Sequence, residues 1–193
     1  MSTLRDFIVS RVRVKILRTF LTTPQELFYI RQLTRALGEE INAVRRELIH
    51  MEKVGMLRSQ IRGNRVYYWF NTEYKYYPEL LALIAKSTGL GRELIKNREK
   101  LGKVSFIVLS GRYARRMHVK KGQVDLLVVG EVILPQLAAI VKTAEADVGR
   151  EINYSVMSAE ELTFRKRRRD PFLMDLLQQS RIILVGDEEA LVP

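Results

Sequence analysis

Residues 41–70 read INAVRRELIHMEKVGMLRSQIRGNRVYYWF, and this stretch decides the fold of the first part of the chain. In its first half, apolar residues recur at positions i, i+3, i+7 and i+10, which predicts a half-buried helix that ends at Gly55. These apolar residues are Ile41, Val44, Leu48 and Met51. In its second half, the sequence has a strand-like alternating pattern on both sides of the turn sequence RGNR. This pattern is typical of a β-hairpin.

The side of this helix opposite the apolar stripe carries asparagine and arginine, residue types that can hydrogen-bond base edges. An arginine matches a guanine edge with two hydrogen bonds, and an asparagine matches adenine in the same way. The polar side consists of Asn42, Arg46, Ile49 and Lys53, with Arg45 and His50 at its flanks. The alternative for the helix taken alone is an ordinary solvated charged face.

Upstream of this stretch, the sequence predicts a helix, a short strand and a second helix. Residues 3–21 place Phe7, Val14, Leu17 and Leu21 at helical spacing, and Pro24 closes that helix. The apolar residues 27–30 then lead into RQLTRALG, for which Gly38 is a helix stop.

Charge points to a polyanionic partner. The net charge is +11 and the pI is near 10.0, values that favour nucleic acid or an anionic surface. Residues 1–78 hold 14 Lys and Arg against 7 Asp and Glu, so the excess lies towards the N-terminus. Part of it, Arg58, Arg62 and Arg65, lies in or beside the predicted hairpin.

The order of helix, short strand, two close helices and basic hairpin resembles the winged-helix transcription regulators of the ArsR-like and MarR-like type. Residues 12–71 carry the resemblance, with NAVRREL, GMLRS and RGNRVYYW as its motifs. The resemblance implies that the longer helix and the hairpin, its wing, bind double-stranded DNA. The implied contacts are Asn42, Arg45, Arg46 and Lys53 from the helix, with Arg58, Arg62 and Arg65 from the wing. Some winged helices bind only protein, and that alternative stays open.

Residues 75–102 predict two connecting helices. The first begins near Pro78, and a break follows at Gly89 or Gly91. The first is rich in leucine, which favours a homodimer interface, although packing of this face on the C-terminal domain is an equal alternative.

From residue 103 the pattern predicts an α/β domain, so the fold class is α+β with two domains, 1–74 and 103–193, joined by 75–102. SFIVLSG, VDLLVVG, EINYSVMS and IILVGD read as strands, and the last residues EEALVP as a loose tail. The layout resembles the minimal nucleotidyltransferases. In that family a Gly-Ser turn after the first strand holds triphosphate, and an Asp-x-Asp pair with a later carboxylate binds Mg²⁺.

The metal ligands of that family are mostly absent here. The turn glycine corresponds to Gly111, but the serine position is Arg112. The paired aspartates correspond to Gln123 and Asp125, and the later strand has Asn153, with Glu151 nearby. One carboxylate of three is a poor Mg²⁺ site, so we expect a catalytically degenerate domain with no metal, no cofactor and a vestigial Asp125.

Cations around the predicted turn form a candidate anion site. These cations are Arg112, Arg115, Arg116, Lys120 and Lys121, and Gly111 belongs to the site as the turn residue. They could hold a nucleotide or a nucleic-acid phosphate without metal. The alternative is a solvated basic loop, with Asp125 a partly exposed salt-bridge partner. The run RKRRR at 165–169 is by default a solvated helix face. The alternative is that it adds phosphate contacts beside a DNA-bound winged helix, which would steepen the salt dependence of binding without adding sequence preference.

The sequence therefore predicts a sequence-specific DNA-binding transcription regulator whose second domain is a scaffold or sensor. Two alternatives remain, a nucleotidyltransferase with an altered metal site and an antitoxin-like repressor that binds a small partner protein. The chain has no Cys and no long uncharged apolar stretch, which fits a cytoplasmic protein without membrane contact.

Overall fold

A computed structural model describes residues 10–23, 26–117 and 123–191. It contains both helices and strands, arranged around two separate sheets, which confirms the mixed α+β class. Backbone contacts divide the chain into two compact units between Ile84 and Ala85. This division falls within the predicted connecting segment 75–102, and the predicted domain boundaries stay a prediction.

The first unit has the predicted order of elements. Its helices and strands are α1 (Arg11–Thr22), β1 (Phe28–Tyr29), α2 (Ile30–Leu37), α3 (Ile41–Lys53), β2 (Leu57–Arg62), β3 (Arg65–Phe70) and the first part of α4 (Tyr77–Ser87). Ser10 caps α1 by accepting a hydrogen bond from the Arg13 amide at 3.2 Å. The predicted start of this helix, with Phe7, and its predicted end at Pro24 lie outside the described residues.

The three strands of the first unit form an antiparallel sheet in the order β1-β3-β2. The hairpin register runs from Leu57 opposite Phe70 to Arg62 opposite Arg65, so Gly63 and Asn64 alone form the loop. Gly63 has φ of 58°, the conformation that a two-residue turn of type II′ requires at its first central position. The predicted hairpin is confirmed.

The core of the first unit lies between the sheet and the helices. Tyr68 and Phe70 alternate along β3 with outward residues, and both are buried. The helices contribute apolar side chains from one face each, including Ile16, Phe20, Leu33, Val44, Leu48 and Met51. This packing fixes which side of α3 is left to solvent.

The second unit contains the end of α4 and a four-stranded sheet with surrounding helices. Its further elements are α5 (Gly89–Lys96), a 3₁₀ turn (Arg98–Leu101), β4 (Gly102–Ser110), α6 (Gly111–Ala114), β5 (Leu126–Val132), α7 (Leu134–Val148), β6 (Tyr154–Met157), α8 (Ala159–Arg167), α9 (Pro171–Gln178), β7 (Arg181–Val185) and α10 (Glu188–Leu191). The sheet order is β6-β5-β4-β7, with β5 and β6 parallel and the other pairs antiparallel.

The predicted loose tail is wrong for residues 188–191. These residues form α10, and the Leu191 side chain is fully buried. Leu191 joins an apolar cluster on one side of the sheet, with Val108, Leu127, Val129, Met157, Leu162, Leu173 and Leu177. Burial of one leucine contributes about 1.5–3 kcal/mol, enough to order a short segment that is otherwise acidic.

Gly91 does not break the helix that contains it. A Cβ atom at Gly91 would lie 2.1 Å from the carbonyl oxygen of Ala85, so this glycine lets the end of α4 and α5 approach closely. The break between the helices lies at Thr88 and Gly89 instead. Among the described residues, no helix is both long and apolar enough to cross a membrane.

Candidate nucleic-acid interface

The exposed side of α3 is the side that the sequence predicts. Val44, Leu48 and Met51 are buried, which turns the opposite side of the helix to solvent. Six side chains are exposed there: Asn42, Arg45, Arg46, Ile49, His50 and Lys53. Ile49 is 53% exposed, an apolar group in the middle of a polar surface.

The acidic residues of α3 are bound to other parts of the first unit. Glu47 accepts hydrogen bonds from the Ser10 hydroxyl and, at 2.8 Å, from the Arg13 guanidinium. Burial alone would raise the pKa of Glu47, but these two hydrogen bonds outweigh it and hold the pKa below its usual value. Glu52 accepts a hydrogen bond from the Ser59 hydroxyl on β2. Both carboxylates are therefore occupied away from the exposed side.

The two glutamates before α3 are occupied as well. Glu39 lies 2.6 Å from the Lys15 ammonium and 3.1 Å from the Arg11 guanidinium, and the contact with Lys15 is the main cause of its lowered pKa. Glu40 caps α3 by accepting hydrogen bonds from the amides of Asn42 and Ala43, both at 2.9 Å. These backbone hydrogen bonds lower the pKa of Glu40.

The result is an exposed surface whose cations make no direct ion pair with a described carboxylate, although the charge of Glu40 is felt by Arg45 and Arg46. Within residues 10–23, 26–117 and 123–191, no ion pair joins Arg45, Arg46 or Lys53 to a carboxylate. Such cations attract polyanions most strongly, because binding need not first break an internal ion pair.

The three predicted wing arginines are in different surroundings. Arg58 forms an exposed ion pair with Glu73. Arg62 donates to the Gln60 side chain at 3.2 Å, and its guanidinium lies 5.9 Å from the centre of the Tyr67 ring. Arg65 lies 4.7 Å from the centre of the Tyr29 ring. Arg62 and Arg65 face each other across the Gly63–Asn64 loop, so two cations meet at the hairpin tip.

Asp125 in the second unit is buried, which corrects the expectation of a partly exposed acid. Its side chain is 1% exposed, because residue 125 is bound between the ends of three strands. Its carbonyl oxygen accepts from the Ser110 amide at 2.8 Å, and its amide donates to the Asn153 carbonyl at 2.7 Å. The Asp125 residue therefore fastens the end of β4 to the starts of β5 and β6.

The partner of Asp125 is Arg150, not a cation of the predicted turn. The two terminal nitrogens of Arg150 donate to the two carboxylate oxygens at 2.8 and 3.0 Å, a bidentate geometry. The Asn153 amide adds a hydrogen bond of 3.2 Å. The Arg150 guanidinium also lies 5.5 Å from the centre of the Tyr113 ring, and burial is the main cause that raises the pKa of Tyr113 to about 12.

This arrangement does not fit Mg²⁺. Both Asp125 oxygens already bind a guanidinium, and a cation at that place would repel Arg150. Asn153 and Glu151 precede β6 rather than lying on it, and Glu151 is exposed. Across the part of the chain that the structure describes, no three Asp, Glu, His or Cys side chains are grouped closely enough to share a metal ion.

Gly111 is required for packing. A Cβ atom there would lie 2.3 Å from the hydroxyl oxygen of Ser180 and 2.8 Å from its carbonyl oxygen. The Gly111 amide donates to that carbonyl at 2.6 Å. This amide is therefore already used and does not point at a phosphate.

The structure describes only some of the other candidate anion-binding residues, and these have different surroundings. Arg112 lies on α6, Arg115 donates to the Ser180 hydroxyl at 3.4 Å, and Arg116 is exposed with φ of 49°. Lys120 and Lys121 lie outside the described residues. The adjacent cavity measures about 40 Å³ and is lined by Ser110, Asp125, Phe172 and Asp175 among others. That volume has room for a few water molecules and not for a nucleotide.

Sequence reasoning missed Arg150 and Tyr113. Arg150 precedes a predicted strand and looks like any surface arginine, and only the folded chain brings it to Asp125, 25 residues earlier. A buried aspartate needs a partner, so a search for its counter-cation could have started from Asp125. The sequence contains many arginines, however, and does not identify which of them pairs with it.

No family model and no curated protein matches the chain. Among solved structures, reduced HlyU from Vibrio cholerae N16961 aligns at 18% identity with a TM-score of 0.33, over 42% of this chain and 77% of that one. A likeness at that score carries no argument about function.

Proposed function

We propose that this protein is a DNA-binding transcription regulator of the winged-helix class, in which α3 reads the major groove and the β2–β3 hairpin is the wing. The observation that carries the proposal is the exposed side of α3, where Asn42, Arg45, Arg46 and Lys53 surround Ile49 and no ion pair joins the three cations to a described carboxylate. A merely solvated helix face would be expected to mix both charges.

Each part of this surface matches a feature of duplex DNA. Arg46 and Asn42 supply the bidentate donors and acceptors that distinguish guanine and adenine, and Ile49 supplies an apolar surface for a thymine methyl group. Lys53, at the end of the helix, and Arg62 and Arg65, at the hairpin tip, would contact phosphates and set the register.

The test is an in-vitro selection from genomic fragments with the purified protein and its Arg46→Ala variant. We expect enrichment of one motif by the wild-type chain. Arg46→Ala should weaken binding to that motif by about 1–3 kcal/mol and relax preference at one base pair, because a bidentate contact is lost. Arg18→Ala is the matched control, since Arg18 is an exposed arginine of α1.

Two outcomes would contradict the proposal. If all fragments are recovered equally and binding only falls with salt, the charge binds DNA without reading it. If Arg18→Ala weakens binding as much as Arg46→Ala, the loss reflects net charge and not the surface of α3.

We also propose that the second unit is a scaffold or sensor and does not transfer nucleotides through Mg²⁺. The bidentate pairing of Asp125 with Arg150 supports this, because the family mechanism needs that carboxylate for the metal. Incubation with labelled nucleoside triphosphates and Mg²⁺ should give no labelled product. Transfer that Asp125→Asn abolishes would overturn this part of the proposal.

A regulator of this class would act as a homodimer on a two-fold motif. The leucines of α4 support such an interface, since Leu80 and Leu83 remain partly exposed beside the buried Leu81. Sedimentation with and without DNA tests the dimer, and a monomer in both cases would remove it.

A further inference from the structure

The basic run at 165–169 divides into two parts with different partners. Arg165 lies 2.7 Å from Glu161 and 3.4 Å from Asp170, and Lys166 donates to the Ala190 carbonyl at 3.0 Å. These two cations stabilise the end of α8 and its surroundings, and they already supply the positive charge that favours a helix C-terminus.

The other three arginines are exposed and have no acidic partner. Arg167, Arg168 and Arg169 form no ion pair with any described residue. Arg169 also has φ of 50°, a left-handed conformation that costs an ordinary side chain about 1 kcal/mol and that glycine or asparagine adopts more easily. A long cation at this position is therefore not explained by the fold.

Two phenylalanines accompany these arginines. Phe164 is 57% exposed and Phe172 is 37% exposed, although the same unit buries its other large apolar cluster well. The Arg168 guanidinium lies 5.2 Å from the centre of the Phe164 ring, and that of Arg165 lies 5.9 Å from the Phe172 ring. We call the exposed residues Phe164, Arg167, Arg168, Arg169 and Phe172, which lie on both sides of the junction between α8 and α9, the basic aromatic patch.

We propose that the basic aromatic patch binds single-stranded nucleic acid, with phosphates on the arginines and bases stacked on the phenylalanines. Surfaces for single strands combine these two groups, because every base has a face that stacks on an aromatic ring. In a duplex those faces are covered by neighbouring bases, so exposed phenylalanines would gain nothing there. An acidic peptide would use the arginines, but aspartate and glutamate have no aromatic face to stack on the rings.

This inference goes beyond the proposed function and does not depend on it, because it concerns a different unit of the chain. The experiment therefore uses full-length protein carrying Arg45→Ala and Arg46→Ala, which removes the α3 surface. Binding of a labelled mixed-sequence single-stranded oligonucleotide, as DNA and as RNA, is followed by fluorescence anisotropy beside a duplex of the same length.

Two variants separate stacking from charge. Phe164→Ala should weaken single-strand binding by about tenfold and leave duplex binding unchanged, since it removes one stacked base contact. The triple variant Arg167→Gln, Arg168→Gln and Arg169→Gln should weaken it further and reduce its salt dependence. The control triple variant is Lys96→Gln, Arg98→Gln and Lys100→Gln, exposed cations elsewhere in the same unit, and it should leave single-strand binding within about twofold.

Three results would overturn the proposal. Phe164→Ala could bind single strands as well as its parent does, which would exclude stacking. The control triple variant could lose as much affinity as the test triple variant, which would reduce the effect to net charge. Polyglutamate could displace the oligonucleotide at equal charge concentration, which would mark a surface for acidic protein. Thermal unfolding of each variant confirms that the fold is retained.

Discussion

Arg46 in the first unit and Arg150 in the second are the same side chain in opposite circumstances. Arg150 gives both ends of its guanidinium to a carboxylate that is 1% exposed, whereas Arg46 projects from α3 without an acidic partner among the described residues. The difference lies in where the nearby acids point. Glu47 turns from α3 towards Arg13 on α1. Asp125 instead points into the second unit and accepts both hydrogen bonds from Arg150. Arg46 therefore presents its charge to solvent, whereas Arg150 uses its charge to hold strands together.

The largest expected effect is on the inward arginine. Arg150→Ala leaves the buried Asp125 carboxylate without its cation, and loss of one partner of a buried pair costs about 3–5 kcal/mol. Asp125→Ala should cost less, because Arg150 is 30% exposed and can reach water. Chemical denaturation measures both. The control Arg92→Ala breaks an exposed pair with Glu93 and should cost under about 1 kcal/mol; equal losses at Arg92 and Arg150 would contradict the comparison.

A second, smaller loss is expected at Gly111. The methyl group of Gly111→Ala would meet the Ser180 hydroxyl and backbone, and such overpacking typically costs about 1–3 kcal/mol. The free energy of unfolding is the measurement. A variant that keeps full stability but loses affinity for inorganic phosphate would instead show that Gly111 belongs to a phosphate-binding turn.

The outward arginines should contribute almost nothing to folding. Arg45→Ala combined with Arg46→Ala is expected to change the free energy of unfolding by less than about 0.5 kcal/mol, as for most exposed positions. The measurement is the same denaturation experiment as for Arg150→Ala, at equal protein concentration. A loss comparable with that of Arg150→Ala would show that these arginines hold the first unit together.

The last prediction concerns Tyr113 beside Arg150, and its pH dependence appears only in alkaline solution. Burial raises its pKa from about 10 to about 12, so the folded state favours the neutral phenol. The corresponding stability is complete below pH 10 and is lost as the pH rises through 12. An ultraviolet titration of phenolate formation should lose its latest component in Tyr113→Phe. An unchanged titration would place Tyr113 in contact with solvent.

The sequence predicted the first unit well because its signals are local. The apolar spacing of Ile41, Val44 and Leu48 and the Gly63–Asn64 turn each lie within a few residues, and the exposed side of α3 follows from them. The pairing of Glu47 with Arg13 spans 34 positions and cannot be derived from spacing. In the second unit, the succession of strands along the chain was predictable. The burial of Asp125 was not, because it depends on a bidentate contact that only the folded chain forms. The burial of Leu191 was also missed, because one leucine beside two acidic residues gives no periodic pattern.

On α3, the side chains that pack against the unit and those exposed to solvent are different residues, and this affects how the sequence can evolve. The side chains that hold α3 in place, Val44, Glu47 and Leu48, are different from those it displays. Among the described residues, no displayed side chain forms an ion pair with the rest of the unit. Substitutions at Asn42, Arg45, Arg46 and Ile49 can therefore accumulate without first being compensated elsewhere. Under the proposed DNA-binding function, single substitutions on this side of α3 would change the target preference and leave the molecule folded.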